Sequence, residues 1–141
     1  MASSSSSAAS GGKQQTVKQL LESIIERVPS VEAVIVSDGD GVELAHASAP
    51  SVDIKDINES ISLISTFSNV SDQANKFTFG KNNTITTFFK NRTVIHVNHA
   101  PLVISFIAGT NANCGLLVGL VPDLKQALLP LQQIAASSQA I

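Results

Sequence analysis

Basic clusters, cysteine pairs and uninterrupted apolar spans are all missing from this chain of 141 residues, and each absence removes a class of function. Nine Lys and Arg stand against eleven Asp and Glu, for a formal charge of -2, and nowhere are Lys and Arg clustered among aromatics. A nucleic-acid groove needs that positive field, so nucleic-acid binding is disfavoured. A single cysteine, Cys114, can neither staple the fold nor build a thiolate metal site alone, which suits a reducing, cytosolic compartment. The apolar stretch from Ala100 to Val121 is cut by Gly109-Thr110-Asn111-Ala112-Asn113 into arms shorter than the roughly 20 residues of a membrane span. MASSSSSAASGG has no charged start followed by an apolar run, so it does not read as a signal peptide; residues 1–14 are expected to form a disordered Ser-rich tail. Without a secretory route, the Asn-x-Ser/Thr triplets at Asn58, Asn69, Asn82 and Asn91 carry no glycans.

What is present is enough for one core: 43% of residues are hydrophobic, and one domain over 15–136 with a short tail at 137–141 is the expectation. Val17, Leu20, Leu21, Ile24, Ile25 and Val28 recur on one helical face, with Thr16 and Gln19 placed for a capping box and Pro29 ending the pattern. Next come strands at about 33–38 and 41–47. Their connection, Asp38-Gly39-Asp40-Gly41, lacks the sixth-position glycine and twelfth-position carboxylate of a calcium loop and reads as a hairpin turn.

Ile54, Ile57, Ile61, Ile64, Phe67, Val70 and Ala74 predict a long helix over 52–75. Its polar face from Ser60 to Ser71 carries Ser62, Ser65, Thr66, Ser68 and Asn69 and no ionisable group. Small uncharged side chains permit close helix approach without desolvating an ion; a plain Ser-rich solvated face is the alternative. Strands follow at Thr84–Phe89, Thr93–Asn98 and Leu102–Ala108, the last apolar without alternation, as in a strand buried on both faces. Thr93 to Pro122 contains no charged residue, which places that part of the sheet centrally. Thr84–Phe89, by contrast, has neither proline nor inward charge, and at a sheet edge it invites strand addition. Residues 113–120 fit either a helical turn or a short strand, since Gly115 and Gly119 weaken both, and a helix over 122–136 with a kink at Pro130 closes the chain.

Catalytic patterns are sparse. His96 and His99 fall on opposite faces of a strand and read as ordinary histidines near a turn, Cys114 has no base fixed beside it, and Gly80-Lys81 lacks the upstream glycine of a phosphate loop, Asn75 standing there. No catalytic residue, metal or cofactor is expected. Lys76, Lys81, Lys90 and Arg92 form a locally basic segment with no acid between them, suited to an acidic partner surface or simply to solvating turns.

Four stretches, VPSVEAVIVSDGDGV (28–42), STFSNVSDQANKFTFGKNNTI (65–85), APLVISFIAGTNANCGLLVGL (100–120) and ALLPLQQI (127–134), give the chain a specific likeness. It resembles the roadblock/longin-type family, and within it the MAP kinase scaffold branch of the Ragulator late endosomal and lysosomal adaptor. The resemblance implies an α/β, roadblock/profilin-like three-layer sandwich: a five-stranded antiparallel sheet with one long helix on one face and two terminal helices on the other. It implies a non-catalytic adaptor that pairs with a second roadblock subunit by antiparallel packing of long helices and edge-to-edge joining of sheets. The carried-over contacts are Ile61, Ile64, Ser65, Ser68, Ser71 and Asp72 on the helix, and Thr84, Thr86, Phe88 and Phe89 on the strand. Implied partners are other Ragulator subunits, Rag GTPases and MAP kinase cascade kinases, with late endosomal or lysosomal membranes reached only through a lipidated partner. Two other readings remain: a homodimeric roadblock module serving dynein transport or a small GTPase, and a small-molecule sensor or enzyme, which would need a deep pocket of converging polar groups.

Overall fold

The computed structural model describes residues 17–139. The tail expected at 1–14 and the capping residue Thr16 lie outside the described residues. Helix α1 covers 17–27 and stops ahead of Pro29. Strands β1 (Val31–Asp38) and β2 (Glu43–Ser48) form the hairpin. Its acidic centre is consumed by the turn: Asp38 Oδ1 accepts from the amides of Asp40 and Val42, each at 2.9 Å, and Gly41 takes φ +93°.

Helix α2 (Ile54–Ala74) starts at Asp53, whose carboxylate accepts from the Lys55 amide, and crosses one face of the sheet. Strands β3 (Thr84–Phe88), β4 (Thr93–His99) and β5 (Leu102–Ala108) complete an antiparallel sheet of order β2-β1-β5-β4-β3. β5 is the middle strand and every one of its residues is buried, the reason its sequence shows no alternation.

Period-two alternation along β1 and β5 divides the core into two layers. Ala33, Ile35, Val103 and Ile107 face α2 through Ile57, Ile64 and Phe67. Val34, Val36, Ile104 and Phe106 face the other way, onto Leu21 and Ile24 of α1 and Leu117, Val121 and Leu124 of the next helix. Each fully enclosed aliphatic side chain stabilises by about 2 kcal/mol, so these layers outweigh any partly exposed ion pair.

The C-terminal part is where structure and expectation differ. Residues 113–120 begin a helix, α3 (Cys114–Ala127), because Asn113 caps it: its side-chain oxygen accepts from the Leu116 amide at 3.1 Å. A second helix, α4 (Leu129–Gln139), follows at 63° to α3. Pro130 therefore breaks the helix instead of kinking it, since its ring excludes the carbonyl four residues back, and α4 continues past residue 136. Among the described residues no single helix is long and apolar enough to cross a membrane.

Candidate partner-binding surface

β3 is a sheet edge with one side unpaired. Its inner side bonds β4: the Asn98 amide donates to Asn83 and the Phe89 amide to Arg92, each at 2.8 Å. Antiparallel alternation then turns the amides and carbonyls of Thr84, Thr86 and Phe88 outward. No charge or proline stands between Thr84 and Phe88, and Phe88 and Phe89 are exposed, at 74% and 47%. The opposite edge is unlike it. β2 carries Glu43 and His46, paired at 3.0 Å, and its ladder with β1 has a bulge between Val36 and Ser37. Charge and bulge blunt an edge against strand addition, and β3 has neither.

α2 lies on one face of the sheet over β1 and β5, with Ile57, Ser60, Ile64, Phe67 and Ser71 turned inward and buried. The opposite side shows Ser62, Ser65, Thr66, Asn69 and Val70, all exposed and none charged. Ser62 and Ser65 donate their hydroxyls back to the carbonyls of Glu59 and Ser62, at 2.6 and 3.3 Å, so the helix satisfies them without water or partner. The result is a low, uncharged face.

The expected helix contacts separate into three groups on this geometry. Ser65 and Asp72 are exposed. Ile61 and Ser68 are half-buried against the hairpin turn: Ser68 Oγ donates to the Gly39 carbonyl at 2.8 Å, and a Cβ on Gly41 would meet the Ile61 carbonyl at 3.3 Å. Ile64, at 0% exposure, and Ser71 are enclosed by their own sheet and have no surface for a partner. The exposed positions on the opposite side of the helix are Ser62, Thr66 and Asn69. Their i, i+4, i+7 spacing opposite Ile57, Ile64 and Phe67 is a signal the sequence carries. On the strand, Thr84 and Thr86 are half-buried beside the exposed Phe88 and Phe89.

Arg92 leaves the basic segment for the interior side of the turn. Its Nε lies 2.9 Å from Glu32 and its Nη2 2.8 Å from Asp56, tying the β3–β4 turn to β1 and to the start of α2. The Asp56 hydrogen bond, foremost, and the Glu32 charge raise its pKa further. Lys76, Lys81 and Lys90 stay exposed, and among the described residues no carboxylate lies within ion-pair distance of them.

His96 is not a turn residue. It sits mid-strand under α2, its ring 4.9 Å from Phe67 and its Nδ1 3.2 Å from Ser105 Oγ; burial pushes its pKa down to about 4. His99 projects from the other face, where burial first and the Lys125 charge second lower its pKa. Among the described residues no group of three His, Cys, Asp or Glu side chains is placed to hold a metal ion. Cys114 packs half-buried against the α1/α3 core layer. A depression of about 430 Å³ between the end of α2 and β3 is lined by Phe77, Phe79 and Thr84 among others, with Lys81 its one ionisable group. General acid–base chemistry needs two positioned groups, which this lining does not offer.

The family model described as mitogen-activated protein kinase kinase 1 interacting matches residues 15–135. Ragulator complex protein LAMTOR3 of Gallus gallus is 36% identical over 121 residues, covering 82% of this chain and 94% of that protein. The LAMTOR3 homolog of Dictyostelium discoideum is 36% identical over 109 residues, covering 77% and 82%. Among solved structures, a roadblock/LC7 domain from Streptomyces avermitilis superposes with a TM-score of 0.69 at 14% identity, covering 81% of this chain and 95% of that one. That last likeness concerns the fold alone.

Proposed function

The chain belongs to the mitogen-activated protein kinase kinase 1 interacting family, and from that premise we propose that it is a non-catalytic adaptor subunit of a Ragulator-type complex. It pairs with a second roadblock subunit, extending the sheet across β3 and packing the uncharged outer face of α2 against the partner's long helix. In that complex it supports MAP kinase and TORC signalling through Rag GTPases on the cytoplasmic face of late endosomes and lysosomes, and a lipidated partner supplies the membrane contact. The observation that supports this reading is the contrast between the two edges of the sheet: among the described residues β3 carries no charge where β2 does, and the exposed positions of α2 from Ser62 to Val70 carry none either.

Pairing is tested by light scattering on size-exclusion fractions, for the chain alone and mixed with a Ragulator-type roadblock subunit. A stable one-to-one complex is expected. Thr86→Pro is the blocking variant, because the Thr86 amide faces outward and its loss breaks no internal ladder bond. Phe89→Pro is less clean, since the Phe89 amide closes the β3–β4 turn. Full complex formation by Thr86→Pro would refute the edge pairing. A tight homodimer indifferent to the partner would favour a homodimeric module serving dynein transport or a small GTPase.

A further inference from the structure

The edge strand is uncharged, but its two ends are not. Lys81 precedes β3 across a short turn and Lys90 follows it after Phe89, both exposed; Lys76, just past the end of α2, adds to the same field. Arg92 is excluded from it by Glu32 and Asp56. No Asp or Glu lies between Lys76 and Arg92.

The outward-facing residues Thr84, Thr86 and Phe88 are symmetric about Thr86. The longest antiparallel pairing of this edge with a second copy is therefore centred there, with Thr84 opposite Phe88 of the other copy. That register carries Lys81 of each copy to the Lys90 end of the other, and the two-fold repeats the contact. Like charges facing each other across an antiparallel pair oppose it, whereas Asp or Glu at those places would favour it.

We propose that Lys81 and Lys90 make the β3 edge a charge filter, which accepts the edge strand of another roadblock chain flanked by Asp or Glu and rejects a second copy of this chain. The inference rests on the reading that β3 pairs with another roadblock chain, and it names the chemistry of that partner. The positive field is local to these ends, since the chain as a whole has a net charge of -2. Attraction at the strand ends also speeds encounter and weakens with salt.

The first arm of the test uses only this chain. Lys81→Glu/Lys90→Glu is mixed with the unmodified, differently tagged chain, and mixed dimers are measured by sedimentation velocity at low and at ~0.5 M salt. Mixed dimers at least about ten-fold tighter than either chain's self-association, weakened by salt and lost when Thr86→Pro is added, are expected. Far-UV circular dichroism checks that the variants fold. A mixture no tighter than its components overturns the filter, as does a tight dimer of the unmodified chain alone. If the filter falls while a Ragulator-type roadblock subunit still binds the unmodified chain but not Thr86→Pro, the pairing stands and only the charge selection is lost. If that subunit binds Thr86→Pro as well as it binds the unmodified chain, the pairing falls too.

Discussion

Acidification from pH 7.5 to pH 5 is expected to remove about 2 kcal/mol of stability through His96 alone. The unfolded imidazole binds its proton near the ordinary value of 6.5, while the folded one, shut between Phe67 and Ser105, binds only near pH 4. Between those values the unfolded state holds more protons, so the contribution is fully present above 6.5, falls as pH drops toward 4 and is flat below. At about 1.4 kcal/mol per pH unit the full window is worth about 3 kcal/mol, of which about 2 is gone at pH 5. For a domain of this size that lowers the melting temperature by roughly 6–10 °C. The chain has no Trp or Tyr, so urea or thermal unfolding is followed by far-UV circular dichroism. His99, also lowered by burial, adds in the same direction, and His96→Gln isolates the larger part. Its stability should change with pH by about 2 kcal/mol less than the unmodified chain over the same interval. Parallel pH profiles for the two, or a His96 ring proton titrating near pH 6.5 by NMR, would refute the reasoning.

Gly41→Ala should destabilise by about 1–2 kcal/mol in the same unfolding assay, because φ +93° disfavours any Cβ and the Ile61 carbonyl stands 3.3 Å from where it would go. A loss below about 0.3 kcal/mol would mean the turn simply moves off α2. Arg92→Ala leaves Glu32 and Asp56 facing each other's neighbourhood without a cation; solvent screening of these one-third-exposed pairs holds the cost to about 1 kcal/mol, smaller at high salt. Equal cost at low and high salt would point to lost packing instead. Asn113→Ala removes the α3 cap and should cost about 1 kcal/mol, checked by urea midpoint; no change would show that the helix start is held by packing alone.

Local patterns were the legible part of this fold, and long-range pairings were not. The Asp38–Gly41 turn, the period of Ile57, Ile64 and Phe67, and the unbroken apolar run of β5 each encode their role within a few residues. α3 was ambiguous because Gly115 and Gly119 depress helix propensity, and what decides it is the side chain of Asn113 together with burial of Leu117 and Val121 against the sheet. Arg92 read as one more solvated cation because Glu32 and Asp56 are far from it along the chain. His96 read as a turn residue from its closeness to His99-Ala100-Pro101, whereas its desolvation comes from Phe67 on another element. The resemblance carried Ile64 and Ser71 over as contacts, but both are buried under their own sheet; read outward from the buried stripe, the helical wheel of this chain leaves Ser62, Thr66 and Asn69 exposed.

The unequal sheet edges also bear on the size of the assembly. A chain with two open edges can add neighbours on both sides and grow without limit, whereas a single open edge closes after one addition. Here β2 carries Glu43 and His46 beside a bulged ladder, and β3 carries only Thr, Ile and Phe. If the chain pairs through β3 as proposed, that pairing would use the edge without charge or bulge and stop at two chains. The long helix would act in the same sense, since α2 lies over one face of the sheet only. In that arrangement the other face of the sheet and the charged, bulged β2 edge would remain for further subunits, to be met by side chains more than by backbone. An adaptor that paired this way would keep the strand edge that makes the dimer separate from the surfaces left for other subunits.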